Sequence, residues 1–126
     1  MKYILLAVLC LFIIVIGSIA SIYYVNNEAE ALHKQLNEIE QNIEDENWEK
    51  AYALFNSFNE KWTKIDHKWS MIIDHYEIDF INMNLGELEA FIKTKDKSSA
   101  LAKMNSLQLL VKHIPEKEAP SLKNIL

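Results

Sequence analysis

The side chains best equipped for chemistry lie in one run, Asp74-His75-Tyr76-Glu77-Ile78-Asp79, with Asp66-His67 shortly before it. On a helix, His75 and Asp79 are four apart and share a face. That spacing offers two ligands to zinc or manganese, and His113, Glu116 or Glu118 could supply a third. Two ligands on one helix do not make a site. Asp79 also falls on an otherwise apolar row with Ile72, where a carboxylate needs a partner. A His75–Asp79 pair packed against the C-terminal segment is therefore the preferred reading, and a metal site at His75, Asp79 and His113 is the alternative. General acid–base work by His75 with Asp74 or Glu77 would lack a nearby nucleophile, oxyanion donor or cofactor loop. Carboxylate-bridged di-metal bundles need two Glu-x-x-His sites, and only Glu30-Ala31-Leu32-His33 has that spacing. The expectation is a protein with no catalytic residues, no cofactor and no enzymatic activity.

The elements that would position these residues start with a membrane segment. From Tyr3 to Asn27 no residue is charged. At about 1.5 Å per residue, Tyr3 to Val25 reaches about 35 Å, slightly more than the roughly 30 Å hydrocarbon core of a bilayer. Tyr23 and Tyr24 fall where aromatic rings favour the interface. Lys2 precedes the span and Glu28 and Glu30 follow it, which favours a cytoplasmic N-terminus and a C-terminal domain outside. The expected division is an anchor over 1–27, acting as a signal-anchor, and an extracytoplasmic helical domain over 28–126. The competing reading is a cleaved signal peptide, with Ser18-Ile19-Ala20 as the cut site. Against it, the apolar run continues through Ile22 and the tyrosine pair.

Charge and composition narrow the partners. The chain has 13 basic residues, all Lys, against 18 acidic ones. Nothing resembles the clustered positive charge that a nucleic acid backbone requires. Cys10, the single cysteine, lies inside the apolar run, so the remainder can form no disulfide. With Gly17 and Gly86 as the two glycines, no phosphate-cradling loop can be written.

The rest reads as helix, because no glycine separates Gly17 from Gly86 and no proline precedes Pro115. Ala29, Leu32, Leu36, Ile39 and Ile43 form an amphipathic stripe leaving the membrane. Asp45 or Asn47 can cap a second helix from Trp48. In it Trp48, Phe55, Trp62, Trp69 and Tyr76 recur every seven residues, and Ala51, Phe58, Ile65 and Ile72 run beside them. Together they predict a heptad seam that a facing helix must cover; a second copy of the chain is one candidate for that helix. A bend near Asp66-His67 and a straight run to Phe91 are both compatible with the pattern. Asp96 or Ser98 can cap a last helix, from about Ser98 to His113, which Pro115 is expected to stop and Pro120 to keep from resuming. Ala51 to Phe58 also echoes Ala100 to Leu107 at an offset of 49 residues, extending to Trp62 with Val111 and Ile65 with Ile114. The fold class expected is all-α: an N-terminal transmembrane helix followed by a small antiparallel helical bundle or hairpin pair.

Several of these residues also carry a resemblance. The short N-terminal span, Asn47-Trp48-Glu49-Lys50-Ala51, Trp62, Trp69, the Asp74 to Asp79 run, His113-Ile114, Glu118 and Asn124-Ile125 resemble an uncharacterised domain-of-unknown-function family (four-three-six-three). The resemblance covers essentially the whole chain. It implies a small single-span membrane protein of spore-forming Gram-positive bacteria, and genes adjacent to those for a multi-span membrane family, hence a membrane partner. It assigns no activity and no role to His75, Asp79 or His113. The function expected is a membrane-anchored interaction or accessory module on the outer face of the cytoplasmic membrane that binds another envelope or multi-span membrane protein. The alternative is a metal- or ligand-binding sensor centred on the Asp74 to Asp79 segment.

Overall fold

A computed structural model describes residues 1–118. These form four helices and, among the described residues, no strand: α1 (Lys2–Glu44), α2 (Trp48–Trp69), α3 (His75–Lys93) and α4 (Lys97–Glu118). Residues 45–47 and 94–96 make two short connections and residues 70–74 a slightly longer one, so consecutive helices run antiparallel. Each of α1 and α3 packs against both α2 and α4. The result is an up-and-down four-helix bundle.

The first helix is 43 residues long without a break. Its surface changes sharply along its length. Residues 1–20 are exposed throughout, and from Val25 onward Ala29, Leu32, Leu36, Ile39 and Ile43 are buried in the bundle. The same helix thus serves the apolar segment and the core, with no linker between them.

Two of the three turns share one design. Asp45 N–H donates to Gln41 O, Glu46 N–H to Ile43 O and Asn47 N–H to Asn42 O; forty-nine residues later Thr94 donates to Ala90 O, Lys95 to Ile92 O and Asp96 to Phe91 O. Both turns put one non-glycine residue in the left-handed region, Glu46 and Lys95, each at φ 56°. The bond reaching five residues back comes from the residue after it, Asn47 or Asp96, and helps to satisfy the last carbonyls of the helix.

The offset governs the core as well. Ala29, Leu32, Leu36, Ile39 and Ile43 on α1 match Ile78, Ile81, Leu85, Leu88 and Ile92 on α3, all buried. Ala51, Phe55, Phe58, Trp62 and Ile65 on α2 match Ala100, Met104, Leu107, Val111 and Ile114 on α4, all buried. The molecule is therefore two helical hairpins of the same pattern, and the eight-residue echo is the most visible part of it.

The aromatic row does not extend across the chain as expected. Phe55, Trp62 and Trp69 are buried within a single chain and Trp48 is half-buried, but Tyr76 is 75% exposed and Ile72 41% exposed. The physical reason is the helix end at Trp69. The chain turns through Ser70 to Asp74 and α3 starts a register of its own, so a spacing of seven across that turn no longer means one face. Trp62 and Trp69 meet edge to face with centroids 5.6 Å apart, and Trp62 Nε1 donates to Asn82 Oδ1 at 2.7 Å. At the opposite end of the bundle Lys93 Nζ pairs with Glu89 at 2.9 Å and lies 5.7 Å over the Tyr52 ring, and Glu89 raises the Lys93 pKa above the ordinary lysine value.

Pro115 does not stop the last helix either: α4 continues to Glu118. Proline removes one backbone hydrogen bond from a helix interior. Val111 and Ile114, buried immediately before it, hold this part of α4 on the bundle. Pro120 and Asn124-Ile125 lie outside the described residues, as do the side chains of Glu116 and Glu118.

Glycine relieves the steric cost of a left-handed residue at a helix end, offset in part by the freedom it adds to the unfolded chain. Glu46→Gly and Lys95→Gly are each expected to stabilise the full chain in detergent micelles by roughly 0.5–1 kcal/mol. Urea unfolding followed by tryptophan fluorescence checks this; a loss of stability at both positions contradicts the turn geometry.

Candidate functional site

The run from Asp74 to Asp79 starts a helix. Asp74 is the N-cap of α3 and its carboxylate accepts from Tyr76 N–H at 3.2 Å. With Glu77 three residues on, it has the Asp-x-x-Glu spacing of a capping box, and Glu77 also places negative charge in the first turn, where the helix dipole favours it. His75 is the first residue of α3 and is exposed; Asp79, one turn on, is exposed as well. The expected buried His75–Asp79 pair is absent, because the buried face of α3 is Ile78, Ile81, Leu85, Leu88 and Ile92 and neither residue belongs to it. His113 is exposed on α4. Among the described residues no group of three or more His, Cys, Asp or Glu side chains could hold a metal ion.

A different candidate site, not anticipated from the sequence, lies between α1 and α4 and is lined by both polar and apolar side chains. Asn26, Glu30 and His33 from α1 and Asn105, Gln108 and Lys112 from α4 line a groove of about 520 Å³. The repeat explains why it exists. Between α2 and α3, the Trp62 indole fills the contact and bonds Asn82. At the equivalent contact between α4 and α1, Val111 stands for Trp62 and His33 for Asn82, and both line the groove. A valine leaves open the volume an indole would occupy. His33 Nδ1 is buried with no hydrogen-bond partner, the counterpart of the Asn82 carboxamide that Trp62 satisfies.

One turn further along, Gln108 Nε2 donates to Asn37 Oδ1 at 2.9 Å and to Glu40 Oε2 at 2.6 Å, closing the groove at that end. The groove thus presents carboxylate, carboxamide, imidazole and ammonium groups over an apolar floor of Ala29 and Val111. Such a lining can take up a polar ligand or a polar segment of another chain; it holds no nucleophile–base pair. The missing signal in the sequence was the pairing of α1 with α4, some seventy residues apart.

Fold and site define a class: an all-α up-and-down bundle carried on one long helix that is apolar enough at its N-terminal end to cross a membrane. The chain belongs to the family described as Domain of unknown function (DUF4363), whose model matches residues 19–125. The match takes in the last turns of the apolar segment and the whole bundle. No curated protein and no solved structure matches the chain.

If the Asp74 to Asp79 run is a helix start, its residues differ in cost. Asp74→Ala should destabilise the bundle by about 1 kcal/mol through loss of the cap, whereas His75→Ala and Asp79→Ala should each stay within about 0.5 kcal/mol. Urea midpoints of the three variants decide it. A large loss at His75 or Asp79 with none at Asp74 reverses the assignment.

Proposed function

We propose that the protein is a membrane-tethered interaction module. The apolar half of α1 anchors it with the N-terminus in the cytoplasm, and the bundle stands on the outer face of the cytoplasmic membrane. There it binds another envelope protein, with a multi-span membrane protein the best-suited class. Lys2 before the span and Glu28 and Glu30 after it support that orientation.

The observation that carries this reading is an exposed apolar row on α3: Tyr76, Phe80 and Met83, at 75%, 51% and 52% exposure. The three are spaced by four and three residues, so they lie on one helix face, roughly opposite the buried set from Ile78 to Ile92. The row begins at the end of the bundle where α1 enters it, because α3 runs parallel to α1. A partner embedded in the same membrane meets that face first. Tethering raises its local concentration, so modest contact area suffices. Beyond residue 27 there are 12 Lys against 18 acidic residues. A net charge near −6 disfavours attraction of the bundle to an anionic lipid surface and favours a protein partner.

A photoreactive residue at Phe80 in living cells is expected to trap one discrete membrane protein. The same residue at Asn56, exposed on α2, should trap none, and Met83→Glu should abolish the Phe80 adduct. Labelling from Phe80 no stronger than from Asn56, or unaffected by Met83→Glu, overturns the assignment of this face.

A further inference from the structure

The turn between α2 and α3 is unlike the other two. Residues 45–47 and 94–96 are polar or charged at every position, as turns usually are. The α2–α3 turn reads Ser70-Met71-Ile72-Ile73-Asp74 and carries three large apolar residues in succession. Ile73 is buried and closes the core beneath Trp69. Met71 and Ile72 have no such role: they are 76% and 41% exposed.

Position and hydrogen bonding say what covers them. Ile72 lines a cleft of about 500 Å³ together with Ile14, Ser18 and Ile22 of α1, so the turn lies alongside the apolar segment and below the level of the bundle. The α1 residues lining that cleft run from Ile14 to Val25, so Ile72 shares it with the last three turns of the apolar segment, a stretch of roughly 16 Å at the rise of a helix. A span from Tyr3 to Val25 overhangs a hydrocarbon core of about 30 Å by only a few ångströms. Ile72 therefore lies beside the outer end of the apolar segment, the level at which interfacial elements sit.

Backbone groups that approach that layer must be satisfied. Four of the turn's five N–H groups are paired within the chain, which suits a place at the interface, where headgroups and water reach the remaining polar groups. Ser70 N–H donates to Asp66 O, Met71 N–H to Lys68 O, and both Ile72 and Ile73 N–H to Trp69 O. The Ser70 hydroxyl donates to His67 O at 2.8 Å. Lys68 and Asp74, which flank the turn, are exposed and stand where headgroups and water can solvate them.

We propose that the α2–α3 turn is a second membrane contact, in which Met71 and Ile72 insert into the outer-leaflet interface beside α1. This rests on the reading of α1 as a membrane anchor. It gives the bundle two points of attachment, the α1 span and the turn, instead of a single pivot. It also sets the tilt of the bundle, and with it the height at which the Tyr76, Phe80 and Met83 row is presented.

The test uses the full-length purified chain in phosphatidylcholine vesicles with no other protein. Met71→Cys and Ile72→Cys, each on a Cys10→Ser background, are labelled with an environment-sensitive fluorophore. Lys95→Cys on the same background reports the far end of the bundle, and the native Cys10 reports the span. Labels at positions 71 and 72 are expected to emit at blue-shifted wavelengths. Nitroxide-bearing lipids should quench them severalfold more strongly than the label at position 95, and aqueous iodide should quench them less. Emission and iodide quenching like those at position 95, with Cys10 still quenched by the nitroxide lipid, overturn the inserted turn while leaving the anchor intact. That outcome is also the one expected if a partner's membrane helix, rather than lipid, covers the turn. Loss of lipid quenching at Cys10 as well overturns the anchor itself.

Discussion

As the membrane anchor proposed above, the long first helix has to satisfy two solvents with one backbone. Inside a helix every amide finds its partner four residues away, so crossing from an apolar layer into water asks nothing of the hydrogen bonding and changes only what the side chains must be. In α1 that change is made within a few residues: an apolar surface exposed on all sides up to Ala20 gives way to a single buried stripe from Val25. No proline and no glycine fall between Ser18 and Glu44 to absorb a bend. The bundle is therefore built onto the end of the apolar segment, and its turns, groove and exposed row take their heights from α1.

Repetition supplies the rest of the architecture, and the departures from repetition are where surface features arise. The two hairpins share their buried positions and their left-handed turn residues Glu46 and Lys95. Where the copies differ in volume, Trp62 against Val111, one contact is filled by an indole bonded to Asn82 and the other is left as a groove of mixed lining beside His33. The link between the copies, Ser70 to Asp74, lies outside the repeat and is the apolar turn. Core positions thus conserve the pattern within the chain, and the features that can meet lipid or a partner are local exceptions to it.

Helix content, the apolar segment, the stripe from Ala29 to Ile43 and the echo of Ala51–Ile65 in Ala100–Ile114 were legible in the sequence, because each depends on spacing within one helix. What was not legible depends on where a helix ends or which helices meet. Tyr76 keeps the seven-residue spacing of Trp62 and Trp69, but the end of α2 at Trp69 cancels its meaning. Asp74, His75, Glu77 and Asp79 resemble a ligand cluster as a string of letters; a cap on Asp74 turns the same string into a helix start, with His75 and Asp79 outside the core. The groove was hidden for a different reason: the match of Val111 to Trp62 could be read from the echo, but that it opens a groove depends on α1 and α4 being brought together.

Continuity of α1 is the claim on which these relations depend, and a distance measures it directly. Spin labels at the native Cys10 and at Glu38→Cys, in the full chain reconstituted in bilayers, are separated by 28 residues. An unbroken helix places their backbones about 42 Å apart. Pulsed electron–electron resonance is predicted to give a single narrow distribution near that value. A broad distribution, or a mean well below it, would show a flexible or bent junction between the apolar segment and the bundle, and would contradict the account.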